Sequence, residues 1–352
     1  MNAPGLEAVA DILSDAVTGR VTPGAVVQTG TSSAPLWTMA AGHQTYAADA
    51  ALVTPATVYD LASLTKVLAT GALAMRHAAA GTLPLDAVVA DRLPQFATQP
   101  RITVTDLLEH AAGLSAHRQL YLEVAGRAGY LARIAAQPFA YEPRAHHEYS
   151  DLGFILLGLL LEDAGGAGLA TQFDQFVGEA VGEVEIGYGT SAAWRTRVAP
   201  TAVSPWRERM LAGAVHDDNA AALGGIAGHA GLFGTAGAAG ALARWYLSLW
   251  LGRTAASAGV PSAMAVRFAR RRDVPGSSRA LGWDTMLPTS SCGSKLSPRA
   301  IGHTGFTGAS LWLDPDRDLY VVCLTNRVHP ANGGDGIKAV RVAVHDAIFG
   351  DR

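Results

Sequence analysis

The chain has 352 residues, 49% of them hydrophobic and 16% charged, with a formal net charge of −3 and no long run of like charges. That balance gives no electrostatic reason to expect nucleic acid or an anionic membrane as partner, and the length suits one large domain or two smaller ones. The two cysteines, Cys292 and Cys323, offer neither a disulfide framework nor metal-ligand spacing, and the most apolar runs, "VLATGALAM" and "FILLGLLL", are too short to span a bilayer.

The first segment reads as an amphipathic helix, with Leu6, Val9, Ile12, Leu13 and Val17 at helical spacing and Glu7, Asp11 and Asp15 between them. Acidic residues stand where a secretory leader would need a basic start and an apolar run, so a cytoplasmic location is the expectation. "GAVVQTG" and "APLWTMAAGHQ" then predict a β-hairpin. From Ser63 to about Ala80 the residues are small and apolar except for Lys66, Arg76 and His77, which predicts a buried helix ending at Gly81. Between about 84 and 280 the patterns are helical and no strand pair is evident. Within that stretch Gly228, Gly231, Gly234, Gly237 and Gly240 read as a tight loop running into a closely packed helix start. Strand signals return in "RAIGHTG", "GASLWLD" and "LYVVCLTN", followed by a last helix, "GIKAVRVAVHDAIFG". The predicted class is α/β plus all-α, with a discontinuous α/β domain over 1–60 and 281–352 and a mostly helical domain over 61–280 that carries the residues of interest.

Those residues lie in "YDLASLTKVLAT", where Ser63 precedes Lys66 by three positions. A serine hydroxyl needs a nearby base before it can attack, and at this spacing on a helix the two side chains share one face. Lys66 is one of only three lysines and sits in an apolar helix, so it must be snorkelling, paired or functional. Two distant stretches repeat the chemistry. "HEYSDLGF" supplies Tyr149, a phenol that can relay a proton, and Asp151, a carboxylate that can pair with Lys66. "GHTGFTG" places His303, Thr304 and Gly305 on a predicted strand, able to line one wall of a cleft.

As a set, "SLTK", "YSD" and "HTG" resemble the three motifs of the serine β-lactamase and penicillin-binding-protein superfamily, in the order and spacing of its class C β-lactamase-related branch. The flanking stretches "ITVTDLLEHAAGL" and "GFTGASLWLDP" extend the likeness over about residues 20 to 330. The resemblance implies a β-lactamase/transpeptidase-like fold, an antiparallel sheet flanked by helices with an inserted helical domain. It implies Ser63 as the acylated nucleophile, Lys66 and Tyr149 as the proton-transfer pair, and the backbone N–H groups of Ser63 and Phe306 as an oxyanion hole. His303, Thr304, Gly305 and Asp151 would contact substrate, and no cofactor is implied. The expected activity is that of a carboxylesterase-like serine hydrolase on small esters or amides. The alternatives are a D-amino-acid peptidase or β-lactamase, a transacylase, or a non-catalytic ligand-binding sensor.

Two departures bear on substrate. Where β-lactamases carry lysine in the third motif this chain has His303, mostly neutral at pH 7, so binding of a substrate carboxylate should weaken as pH rises. Asp151 stands where many relatives have asparagine, and its charge would hold Lys66 protonated, leaving Tyr149 as the base. The polar run His216, Asp217, Asp218 and Asn219, with His229 nearby, lacks the ligand spacing of a metal site and reads as loop or substrate-pocket rim; His216, Asp217 and His229 are taken as substrate-binding candidates. His110 reads as a cation at a helix end. Pocket shape is expected to depend on loops near 115–145 and 185–230.

Overall fold

Alternate residues of the strand Gly24–Gly30 point to opposite sides of a sheet, and both sides are buried: Ala25 and Val27 join one apolar cluster and Val26 another. The computed structural model describes residues 5–330 and 336–350, so residues 1–4 and 351–352 of the expected α/β domain, and 331–335, lie outside the described residues. The sheet has six antiparallel strands in the spatial order Asp284–Thr285, Ile301–Thr304, Ser310–Asp314, Leu319–Thr325, Gly24–Gly30 and Pro35–Gly42. Burial on both faces explains why Leu319–Thr325 reads as a nearly continuous apolar run.

One face is covered by the first and last helices, Leu6–Thr18 and Gly336–Gly350, whose Val9, Leu13, Val344, Ile348 and Phe349 pack with Trp312, Val321 and Cys323. The other face receives the helix Ala236–Trp250, where Arg244 reaches the Tyr320 hydroxyl. This helix comes from the middle of the chain yet lies on the sheet. The remaining middle segment forms a helical body around Asp151–Gly165, in which every residue from Leu152 to Leu161 is buried. Among the described residues no single helix is long and apolar enough to cross a membrane.

Two local features differ from the sequence expectation. The helix predicted from Ser63 begins as a 3-10 turn, Ala62–Leu64, passes through a π-helical segment, Lys66–Thr70, and becomes α-helical only at Gly71–Ala80, ending at Gly81 with φ 74°. The middle stretch also contains strand pairs. Leu232–Gly234 lies between Tyr59–Asp60 and Ile186–Tyr188, and two further two-residue hairpins occur. The glycine-rich run therefore combines close approach, strand and helix entry: a Cβ on Gly228 would lie 2.1 Å from the Phe154 carbonyl oxygen, and Thr235 caps the following helix.

Candidate active site

The central strand of the small sheet, Leu232–Gly234, pairs with Tyr59–Asp60 and brings the 228–232 segment alongside the turn that carries Ser63. Three side chains of that turn are tied to it. Thr65 Oγ1 accepts the Leu232 N–H at 3.2 Å, Lys66 Nζ donates to the His229 carbonyl at 3.2 Å, and Thr70 Oγ1 donates to the Gly228 carbonyl at 2.6 Å. These ties fix the π-helical segment, and they leave Ser63 partly exposed at the floor of a cavity of about 700 Å³. Lys66 Nζ donates to Ser63 Oγ at 2.9 Å.

Lys66 is fully buried, and burial alone would lower its pKa. The Asp151 carboxylate 2.7 Å away and the Tyr149 hydroxyl outweigh that, so its pKa is raised and it stays an ammonium. Burial pushes the Asp151 carboxyl upward, but Lys66, with the nearby His117 imidazole, holds it below the usual carboxylate range. Lys66 thus enters the site as a charged donor to Ser63, and the Tyr149 ring lies against the same ammonium, its centre 4.9 Å from Nζ.

Tyr149 is held by two imidazoles. His110 lies 4.6 Å away, centre to centre, and its Nδ1 accepts the Ser150 N–H at 3.0 Å; His303 packs at 5.8 Å. The helix-end cation expected at His110 is not found. The residue has φ 56°, is buried, and has its pKa driven well below the ordinary value, first by burial and then by Arg279 and Lys66. The same causes, in the same order, act on His303, whose Nδ1 donates to the Thr304 carbonyl at 2.9 Å. His303 is therefore neutral across the physiological range, and the expected weakening of carboxylate binding with rising pH loses its basis.

A family comparison decides the class. The Beta-lactamase family model matches residues 9–345. The chain belongs to the beta-lactamase family. A putative D-alanyl-D-alanine carboxypeptidase of Escherichia coli K12 is 30% identical over 312 residues, covering 78% of this chain and 70% of the relative. Among solved structures, EstCE1, a hydrolase with promiscuous acyltransferase activity, superposes with a TM-score of 0.78 at 20% identity over 98% of both chains. A class C beta lactamase from Rhodobacter sphaeroides gives 0.75 at 22% identity, covering 97% of this chain and 98% of the other. The fold is that of the beta-lactamase and transpeptidase group, and the chain is an enzyme of the serine hydrolase and acyltransferase kind.

In this family member the cavity is lined by Ser63, Tyr149, Asp151, His303, Thr304, Gly305 and Phe306, so the three motifs converge on one space. The strand carrying His303 ends at Thr304, and Gly305 begins the turn; its own N–H is committed to the Ala309 carbonyl at 2.7 Å. The rim candidates are in the wall as well. His216 stacks on Phe306 at 5.5 Å, Asp217 accepts from Ala220 N–H and from His229 Nε2, and His229 is buried behind Lys66. Asp218 lines the same cavity and pairs with Arg207, whereas Asn219 is buried on the Tyr130 hydroxyl.

Four residues of consequence were not singled out by sequence. His117 reaches Asp151 at 3.6 Å. Arg341 is buried and donates to the carbonyls of Gly305, Gly308 and Ala309, fixing the turn after the third motif. Arg279 lies over the Tyr149 ring at 5.2 Å, and its Nε and Nη1 are buried without a partner among the described residues. Asp60 is the fourth. The motif that contains it was visible, but its partners are far away in sequence.

Proposed function

We propose that this enzyme forms an ester on Ser63 Oγ with the acyl group of small ester or amide substrates and passes that group to water, in the manner of a carboxylesterase. The observation that carries the reading is the contact between a charged, fully buried Lys66 and Ser63 Oγ at the floor of the cavity, with Tyr149 against the same ammonium. Because Lys66 already holds its proton, Tyr149 takes the proton of Ser63; a phenol accepts one only as phenolate, so the step begins from that form. Ser63 Oγ attacks the carbonyl carbon, the backbone N–H groups of Ser63 and Phe306 receive the oxyanion, and Tyr149 returns the proton to the leaving group. Water then repeats the sequence on the Ser63 ester.

A second reading has its own support. The unpartnered nitrogens of Arg279 beside Tyr149 suit a carboxylate on the substrate, which a D-amino-acid amide or peptide would carry. Steady-state hydrolysis of a neutral nitrophenyl ester and of a D-alanyl anilide, by wild type and by Ser63→Ala, separates the two. The first reading expects Ser63-dependent turnover of the neutral ester with the higher kcat/KM. A preference for the anilide favours the second, and undiminished turnover of either by Ser63→Ala overturns both. Added short-chain alcohol that diverts product to a new ester would identify a transacylase.

A further inference from the structure

Asp60 lies behind the nucleophile turn with 1% exposure, and among the described residues no lysine or arginine pairs with it at ion-pair distance. Its carboxylate receives two backbone donors instead: the Ala62 N–H at 2.8 Å on Oδ1 and the His216 N–H at 2.6 Å on Oδ2. Its main-chain carbonyl accepts the Thr307 hydroxyl at 2.8 Å. One residue thereby joins three walls of the cavity. Ala62 precedes Ser63, Thr307 follows Phe306, and His216 stacks on Phe306. The two positions assigned to the oxyanion hole are each flanked by a residue that Asp60 holds.

The turn needs holding. Ala62 has φ 47°, in the left-handed region where an L-residue with a Cβ is strained, and such conformations persist only where surrounding contacts impose them. A carboxylate can satisfy both N–H groups at once, whereas a carboxylic acid or an amide turns one of its own hydrogens towards one of them.

We propose that Asp60 is a positioning residue whose ionised carboxylate clamps the nucleophile turn to the His216 loop and so sets the oxyanion hole for acylation. The proposal rests on Ser63 being the nucleophile.

Burial raises the Asp60 pKa to about 6; the bonds from His216 and Ala62 oppose this, Asp217 adds to it and Arg207 opposes it. A pKa raised by folding means that the folded state binds the proton more tightly, so the stability owed to Asp60 falls as pH rises from about 4 to about 6. The charge is thus carried at a cost to stability in the range where the proposed chemistry uses it. The other ionisable groups facing this region are His216, Asp217 and Asp218 on the loop, Arg207 beside it, Lys66 on the nucleophile segment, and Arg327, which bonds the Phe306 carbonyl. The strand Leu232–Gly234 contributes none.

The test is the pre-steady-state acylation rate with a nitrophenyl ester from pH 5 to 8, for wild type, Asp60→Asn and Asp60→Asn with Ala62→Gly. Wild type should lose rate below about pH 6, while Asp60→Asn should be slower by about tenfold or more at pH 7, with KM little changed and no such acid limb. Glycine adopts the left-handed backbone freely, so Ala62→Gly should restore part of the lost rate. Wild-type acylation by Asp60→Asn, or an unchanged acid limb in it, would overturn the proposal. Urea unfolding of wild type and Asp60→Asn reads the carboxylate independently of any reaction: wild type should lose stability relative to the variant between pH 4 and 6, and parallel curves would also overturn the clamp. Absence of a Ser63-dependent burst in wild type, with that stability difference present, would instead count against the nucleophile assignment.

Discussion

Replacing Asp151 with asparagine keeps the shape and one acceptor beside Lys66 but removes the charge. At 2.7 Å and an effective dielectric near 20, the attraction between the two charges is about 6 kcal/mol. The buried ammonium already spends part of that on its own desolvation, and the amide oxygen retains a dipole, so the expected loss of folding stability at pH 7 is about 3 kcal/mol. The sign of its pH dependence follows from both partners. Asp151 is held below the usual carboxylate range, so its contribution is present above about pH 4 and fades as acid protonates it. Lys66 is held above its ordinary value, so its contribution lasts through neutral pH and fades only in strong alkali. Urea unfolding of wild type and Asp151→Asn should therefore show a constant gap from about pH 6 to 9 that closes in acid. In the variant Lys66 can lose its proton more easily, so the alkaline rise in ester hydrolysis should begin at lower pH than in wild type. Equal denaturation midpoints at pH 7 would refute the reasoning that the pair holds Lys66 charged.

Arg279→Met should raise KM about tenfold for a carboxylate-bearing ester and leave a matched neutral ester unchanged, since it removes one charge-assisted contact; equal effects on both would deny Arg279 that role. Because His303 stays neutral, wild-type kcat/KM for the two esters should run parallel from about pH 5 to 8, and divergence there would show that His303 titrates. Gly305→Ala would place a Cβ 2.8 Å from the Leu61 carbonyl oxygen and displace the turn that carries Phe306, so kcat should fall about tenfold with the fold retained; wild-type kcat would show that the turn is not coupled to the reaction.

The residues that the structure brings together around Ser63 were legible because each belongs to a local signal. Ser63 and Lys66 are one turn apart, Tyr149 and Asp151 adjoin a helix start, and His303 lies on a short strand. The six-stranded sheet was legible too, except for the two-residue edge strand Asp284–Thr285, which is too short to show alternation. What escaped notice depends on distant partners. The three-residue strand Leu232–Gly234 has no period and is defined by its neighbours. The π-helical segment answers to carbonyls more than 150 residues away. Asp60 meets the His216 N–H across 156 positions, and nothing at residue 60 announces it. His303 was read as mostly neutral at pH 7, but its expected titration near neutrality was overturned because burial and the nearby Arg279 and Lys66 cations are properties of the assembled site.

The most direct measurement is the intact mass of wild type and Ser63→Ala, followed over time after mixing with a short-chain nitrophenyl ester. A transient mass increase equal to one acyl group, absent from Ser63→Ala and returning to zero as product accumulates, is the result expected of a Ser63 acyl-enzyme. The same adduct on Ser63→Ala, or wild-type product formation that Ser63→Ala matches, would contradict it.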